Sequence, residues 1–324
     1  MTPVSLIAAA SVLIACCTAP VASLAQTPPS PAASTATNRE GVAFSRLTVT
    51  DADHPDIEAG VWWPAEAATT PRPMVVVSHG NGGDFRSHHD TAKALAQAGF
   101  VVATLTHTGD NWRDQSRATD VVGRTRQLSV LIDHMLTRWE DRASIDAGRI
   151  GAFGFSAGGF TVLAAAGGNP DLTRLVDHCR VNPGFYDCTL IGQHSEMTKM
   201  GVEGRLQFTH DTRIKALAVA APALGFTFVR EGLAAVTQPV QLWQAEADQI
   251  LPAPFYAEPV RDNLPTPPEY HRIDRAGHFD FLPPCSPELV AAAPMICAPT
   301  PGFDRAAFHD RLNAEVVRFF EAEL

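Results

Sequence analysis

Ser156 has a glycine two residues to either side, in Gly154-Phe155-Ser156-Ala157-Gly158. A hydroxyl at that spacing can act as a nucleophile where a strand turns sharply into a helix. The glycines remove side chains that would collide in the turn, and the serine Oγ projects from it. The unpaired N–H groups of the first helical turn favour negative charge developing beside it. The flanks agree with this reading. Residues 149–155 form an apolar, strand-like run, and residues 157–167 are small and helix-compatible.

Serine is a weak nucleophile until a base takes its proton. His278 follows the last predicted strand and is the candidate base, whereas His271 lies inside that strand and is the poorer choice. A carboxylate must then orient the imidazole, and Asp248 stands just beyond the end of the predicted strand 240–244. Its rival Glu246 is closer to the strand, where a structural pairing is expected. Two glycines also follow Asn81 in His79-Gly80-Asn81-Gly82-Gly83, after the predicted strand 74–78, so backbone N–H groups there can approach a substrate oxygen. The N–H groups of Asn81 and Ala157 are the expected oxyanion donors. His107 (with Asp110) at a strand end, Trp112 and Phe155 are candidate substrate contacts. Ser87-His88-His89-Asp90 resembles half of a metal site but coincides with a helix start and has no second cluster, so no metal is expected. Neither a dinucleotide fingerprint nor a phosphate loop occurs, and no cofactor is expected.

The elements that must hold these residues alternate between strand and helix. Strands are predicted at 43–49, 58–63, 74–78, 100–105, 149–155, 216–221, 240–244 and 270–273. Most of the later ones are near-continuous apolar runs, as buried parallel strands should be. A helix is expected to start at Ser87 and Asp90 in capping-box spacing and to end at Gly99, with further helices at 125–139 and 303–323. The fold class is therefore α/β, a mostly parallel sheet with helices on both faces, formed by one domain at 41–324. Regularity fails at 169–213, which reads as a lid-like insertion over one edge of the sheet.

The chain of 324 residues carries 25 Lys and Arg against 35 Asp and Glu, a formal charge of -10. With no dense basic run, nucleic acid and anionic lipid are not expected partners. The first 25 residues lack a charged side chain and read as an export signal ending at Ser23-Leu24-Ala25, followed by an extended tether at 26–40. The alternative exit is a lipid anchor at Cys16, after Leu13-Ile14-Ala15. The first route leaves four cysteines in an oxidising compartment and a mature chain without a transmembrane anchor. Four cysteines allow three pairings. The local one, Cys179 with Cys188 and Cys285 with Cys297, is expected because each pair lies within a single irregular segment.

From residue 42 onward the sequence resembles the α/β-hydrolase superfamily. Within it, the chain is similar to the branch of predicted dienelactone hydrolases and platelet-activating-factor acetylhydrolase-like serine esterases. The resemblance rests on Gly60-Val61-Trp62-Trp63-Pro64, Ser78-His79-Gly80-Asn81-Gly82-Gly83, Leu105-Thr106-His107-Thr108-Gly109-Asp110 and the elbow itself. It implies a triad of Ser156, Asp248 and His278 with oxyanion donors at Asn81 and Ala157. Ser156 stands where dienelactone hydrolases carry a cysteine, and polar Asn81 stands where acetylhydrolases commonly have an apolar residue. The expectation is thus an exported serine esterase acting on small-molecule esters through an acyl-enzyme. The alternatives are an amidase, peptidase or lactonase with the same triad, and a non-catalytic binding domain of the same fold.

Overall fold

The computed structural model describes residues 36–37, 41–192 and 206–324. The export signal at 1–25, its alternative at Cys16, most of the tether and residues 193–205 of the insertion lie outside the described residues.

Nine strands form one sheet: β1 (Ala36–Thr37), β2 (Val42–Val49), β3 (Ile57–Pro64), β4 (Arg72–Ser78), β5 (Val101–Thr106), β6 (Ile145–Phe155), β7 (Ile214–Ala220), β8 (Val240–Ala245) and β9 (Glu269–Ile273). Their order is β1-β2-β3-β5-β4-β6-β7-β8-β9. The pairs from β1 to β5 are antiparallel, and those from β5 onward are parallel. The expected tether is interrupted by β1, where Ala36 and Thr37 pair with Phe44 and Ala43. The outer side of β2 has unpaired backbone groups, which an extended segment can satisfy.

The main helices are α1 (His89–Gln97), α2 (Val121–Thr137), α3 (Ala157–Ala165), α4 (Arg174–Val181), α5 (Tyr186–Gly192) and α6 (Arg305–Glu323). Side chains alternate across β4, so Met74 and Val76 enter one core with Leu128 of α2 and Val162 of α3. Val75 and Val77 enter the other, with Leu95 of α1 and Leu312 of α6. This two-sided burial is why the central parallel strands are largely apolar, while the edge strand β9 is not.

Several helix ends differ from the expectations. The Ser87 hydroxyl accepts from the Asp84 N–H at 2.9 Å and caps no helix, and α1 begins at His89 without a side-chain cap. Asp120 caps α2 by accepting from Gly123 N–H, which starts that helix at 121 rather than 125. Asp304 likewise caps α6 through Ala307 N–H.

Strand β4 lies between β5 and β6, so the chain leaves it first to one side and then returns on the other. The loops leaving β4 and β6 meet at this reversal, where an open α/β sheet has its natural crevice. They carry Asn81 and Ser156.

Candidate active site

Ser156 joins β6 to α3 with φ +56° and ψ −118°, a conformation that costs a non-glycine residue energy. Neighbouring backbone holds it there: Ser156 N–H donates to Ala220 O at 2.9 Å, and its carbonyl accepts from Ala223 N–H at 2.9 Å. The glycines are required by close approach. A Cβ at Gly154 would lie 2.2 Å from Gly158 O, and one at Gly158 would lie 1.9 Å from Ser78 O. With both absent, α3 packs directly on the ends of β4 and β6.

His278 begins a short 3-10 turn after β9, and Asp248 lies in the loop after β8. The imidazole joins them to the serine: Nε2 is 3.1 Å from Ser156 Oγ, and Nδ1 is 2.7 Å from Asp248 Oδ2. A carboxylate can only accept, so Nδ1 carries the proton and Nε2 offers its lone pair to the serine hydroxyl. Asp248 is fixed in turn, since its Oδ1 accepts from the N–H groups of Ile250 (2.9 Å) and Leu251 (2.7 Å). All three side chains are buried.

Glu246 and His271 point elsewhere. Glu246 pairs with Arg272 and accepts from Arg275 N–H at 2.9 Å, while His271 stacks on Trp243 and bonds Glu269. Asn81 sits in a turn closed by Gly83 N–H to Gly80 O at 3.1 Å, and Ala157 opens α3, where N–H groups have no intrahelical acceptor.

Residues 57–184 match the Dienelactone hydrolase family, a span that contains Asn81, Ser156 and Ala157 but neither Asp248 nor His278. The chain superposes on the crystal structure of a dienelactone hydrolase from Anabaena variabilis with a TM-score of 0.55 and 15% identity, over 88% of this chain and 99% of that one. The chain has the α/β-hydrolase fold. No curated protein matches its sequence.

Within this fold the three candidate substrate contacts occupy different settings. His107 is fully buried; its Nδ1 donates to Gln127 Oε1 at 2.8 Å, which leaves Nε2 to accept from the Ser78 hydroxyl at 2.9 Å. Burial and the nearby Arg124 push its pKa well below the usual range, so the ring is neutral. Phe155 is also buried and lies against His278, with ring centroids 4.8 Å apart, so it backs the imidazole. Trp112 is 61% exposed, with the Arg113 guanidinium over its ring.

The insertion carries α4 and α5, cross-linked by Cys179–Cys188, while Cys285–Cys297 closes the segment after His278. The pieces of Ser87-His88-His89-Asp90 face different partners: His88 packs between Phe153 and Phe155, and Asp90 bonds His309 and Asn313. Among the described residues, two clusters bring three ligand-type atoms within 4.8 Å of one another. In His178-Asp187-Cys188 the sulfur is committed to the disulfide, and in Glu269-His271-Glu315 both carboxylates bond Arg318.

Sequence reasoning overlooked Arg124 and Tyr186. Arg124 shares a helical face with Leu128, Leu131 and Met135, and a cation at that spacing on an apolar stripe was a legible sign of a buried role. Tyr186 had no comparable signal.

Proposed function

We propose that this α/β-hydrolase is an exported serine esterase that cleaves carboxylic esters of small molecules through an acyl-enzyme. One observation carries the reading: a buried, continuous hydrogen-bond path from Ser156 through His278 to Asp248, beginning at a serine held at φ +56°. His278 Nε2 removes the Ser156 proton as Oγ attacks the ester carbonyl, and Asp248 stabilises the imidazolium that forms. The carbonyl electrons move onto oxygen, where the N–H groups of Ala157 and Asn81 meet the charge. Collapse expels the alkoxide, which takes its proton from His278. Water, deprotonated by the same imidazole, then releases the acid and restores the serine.

An ester leaving group needs no more acid assistance than this imidazole provides, whereas an amide nitrogen must be protonated in a fixed geometry. A lactone is an internal ester open to the same steps, and the family match at 57–184 supports including lactones among the substrates tested. Export is supported by the uncharged, apolar leader and by two cysteine pairs joined as disulfides.

The test is fluorophosphonate labelling with peptide mass spectrometry, beside a panel of p-nitrophenyl esters, lactones and an aminoacyl anilide. A single adduct on Ser156, ester turnover, and a loss of at least about 10³-fold in Ser156→Ala are expected. An adduct on another serine, or an anilide cleaved in preference to its matched ester, would overturn the reading.

A further inference from the structure

A buried ion pair lies behind the oxyanion loop and takes no part in the steps above. Arg124 projects from α2 and Asp110 from the loop after β5; both are almost fully buried and joined by Nη1 to Oδ2 at 2.5 Å. Burying such a pair costs heavily in desolvation, and an apolar pair of similar volume commonly stabilises a fold as well or better. Stability alone therefore does not account for it, and its hydrogen bonds indicate what else it does.

The pair touches both halves of the oxyanion site. On the Asn81 side, Asp110 Oδ1 accepts from Asn81 Nδ2 at 2.7 Å and from Gly82 N–H at 3.0 Å. Arg124 Nη2 donates to the His79 carbonyl, and to Ser78 Oγ at 3.4 Å. On the Ala157 side, Arg124 Nε donates to Thr161 Oγ1 at 3.0 Å, and the same hydroxyl donates to the Ala157 carbonyl at 2.7 Å. One planar guanidinium thus spans the seam between the end of β4 and the first turn of α3. It is the seam that Gly158 keeps narrow by lacking a Cβ. The rigid fork of donors suits this task, since a lysine would offer a point charge without the fixed directions. The neighbouring histidines add no charge: His79 donates from Nδ1 to Gly80 O, accepts His107 N–H at Nε2, and is held neutral with a pKa near 3 by burial and Arg124.

We infer that Asp110 and Arg124 are positioning residues that set the separation and direction of the Asn81 and Ala157 N–H groups, an inference that rests on the serine-hydrolase reading of Ser156. Neither touches substrate. A change at either displaces the donors from the oxygen they must meet in the transition state, and small displacements of such groups cost about 100-fold in rate.

Two variants test this: Asp110→Asn, and Thr161→Val, which removes the hydroxyl that joins the guanidinium to the Ala157 carbonyl and introduces no charge imbalance. Active sites are titrated with a fluorophosphonate so that rates refer to folded enzyme, and thermal unfolding is recorded alongside. The expected result is a fall of about 100-fold in kcat per titrated site for Asp110→Asn and about 10-fold for Thr161→Val, with KM changed less than about threefold. The second-order rate of Ser156 phosphonylation, whose P=O oxygen enters the same donors, should fall in parallel. A purely structural pair would lower the titrated fraction and leave kcat per site unchanged, which would overturn the inference. If the wild-type protein turns over no ester yet phosphonylates Ser156, the esterase reading fails, and the phosphonylation rates of the variants still decide the role of the pair.

Discussion

The hydroxyl of Tyr186 donates to Oδ1 of Asn81, linking the insertion to the loop after β4 across a sequence separation of 105. The Asn81 amide is therefore held at both ends, because its Nδ2 is already bound to Asp110. Tyr186 lies on α5, beside the Cys179–Cys188 cross-link, so the insertion is coupled to the loop through a stapled helix.

Tyr186→Phe should lower kcat/KM by about 2- to 12-fold, the range of one neutral hydrogen bond worth about 0.5 to 1.5 kcal/mol. The same variant should shift the melting temperature little, since the ring remains in place. Steady-state kinetics on a p-nitrophenyl ester checks the first point and calorimetry the second. An unchanged kcat/KM would mean that the insertion does not act through Asn81.

Gly158→Ala should be severely destabilising, because the added Cβ would meet backbone atoms at 1.9 Å and 2.6 Å at Ser78. Neither partner is a movable side-chain tip, so α3 would have to lift from the strand ends. A loss of about 3 kcal/mol or more in urea unfolding, or failure to recover folded protein, is expected. Gly184 is the control: a Cβ there has nothing within 4 Å, and Gly184→Ala should change stability by less than about 0.5 kcal/mol.

Asp187 brings a pH dependence into the insertion. Burial raises its carboxyl from 3.8 to about 6, against the opposing hydrogen bonds from the Tyr256 hydroxyl and the Cys188 N–H. Well below pH 3.8 the group is neutral in folded and unfolded chains alike. As pH rises the unfolded chain ionises first, so stability falls through about pH 6 and then levels off, by up to about 3 kcal/mol in total. Asp187→Asn removes this loss. Its urea midpoint should exceed that of the parent at pH 7.5 and converge with it near pH 4, whereas an advantage independent of pH would contradict the assignment.

What could be read from the sequence depended on how far each feature reaches along the chain. The elbow around Ser156 was legible because its requirements are contiguous: an apolar strand, two glycines at fixed spacing and a small-residue helix. The central parallel strands were legible because burial on both faces makes them largely apolar, whereas the edge strand β9 is mostly polar and only partly buried. His278 and Asp248 could be placed after strand ends because an open sheet presents its loops along a common edge.

Helix starts were less legible, since a cap depends on what else competes for its oxygen. Ser87 had the right spacing, but its hydroxyl accepts the Asp84 N–H instead, while the cap of α2 at Asp120 lay before the expected start at 125 and that of α6 at Asp304 lay just inside the expected start at 303. His107 looked like a rim residue by position along the chain, yet its ring turned inward to Ser78 and Gln127 once α2 packed over β5.

By itself, the sequence determined the strand–turn–helix around Ser156, the α/β class and the identity of the residues carried to one edge of the sheet, while contacts with Ala220 and Ala223 hold the serine in its strained conformation. Tertiary structure alone decided which of them meet. The joining of Ser156, Asp248 and His278 by one imidazole, the burial of Arg124 against Asp110, and the reach of Tyr186 to Asn81 are contacts between segments far apart in the chain. No local preference encodes such a contact. It exists because assembling the sheet and packing helices on both faces brings these polar groups together and, for the triad and the Arg124–Asp110 pair, removes most of the water that would otherwise solvate them.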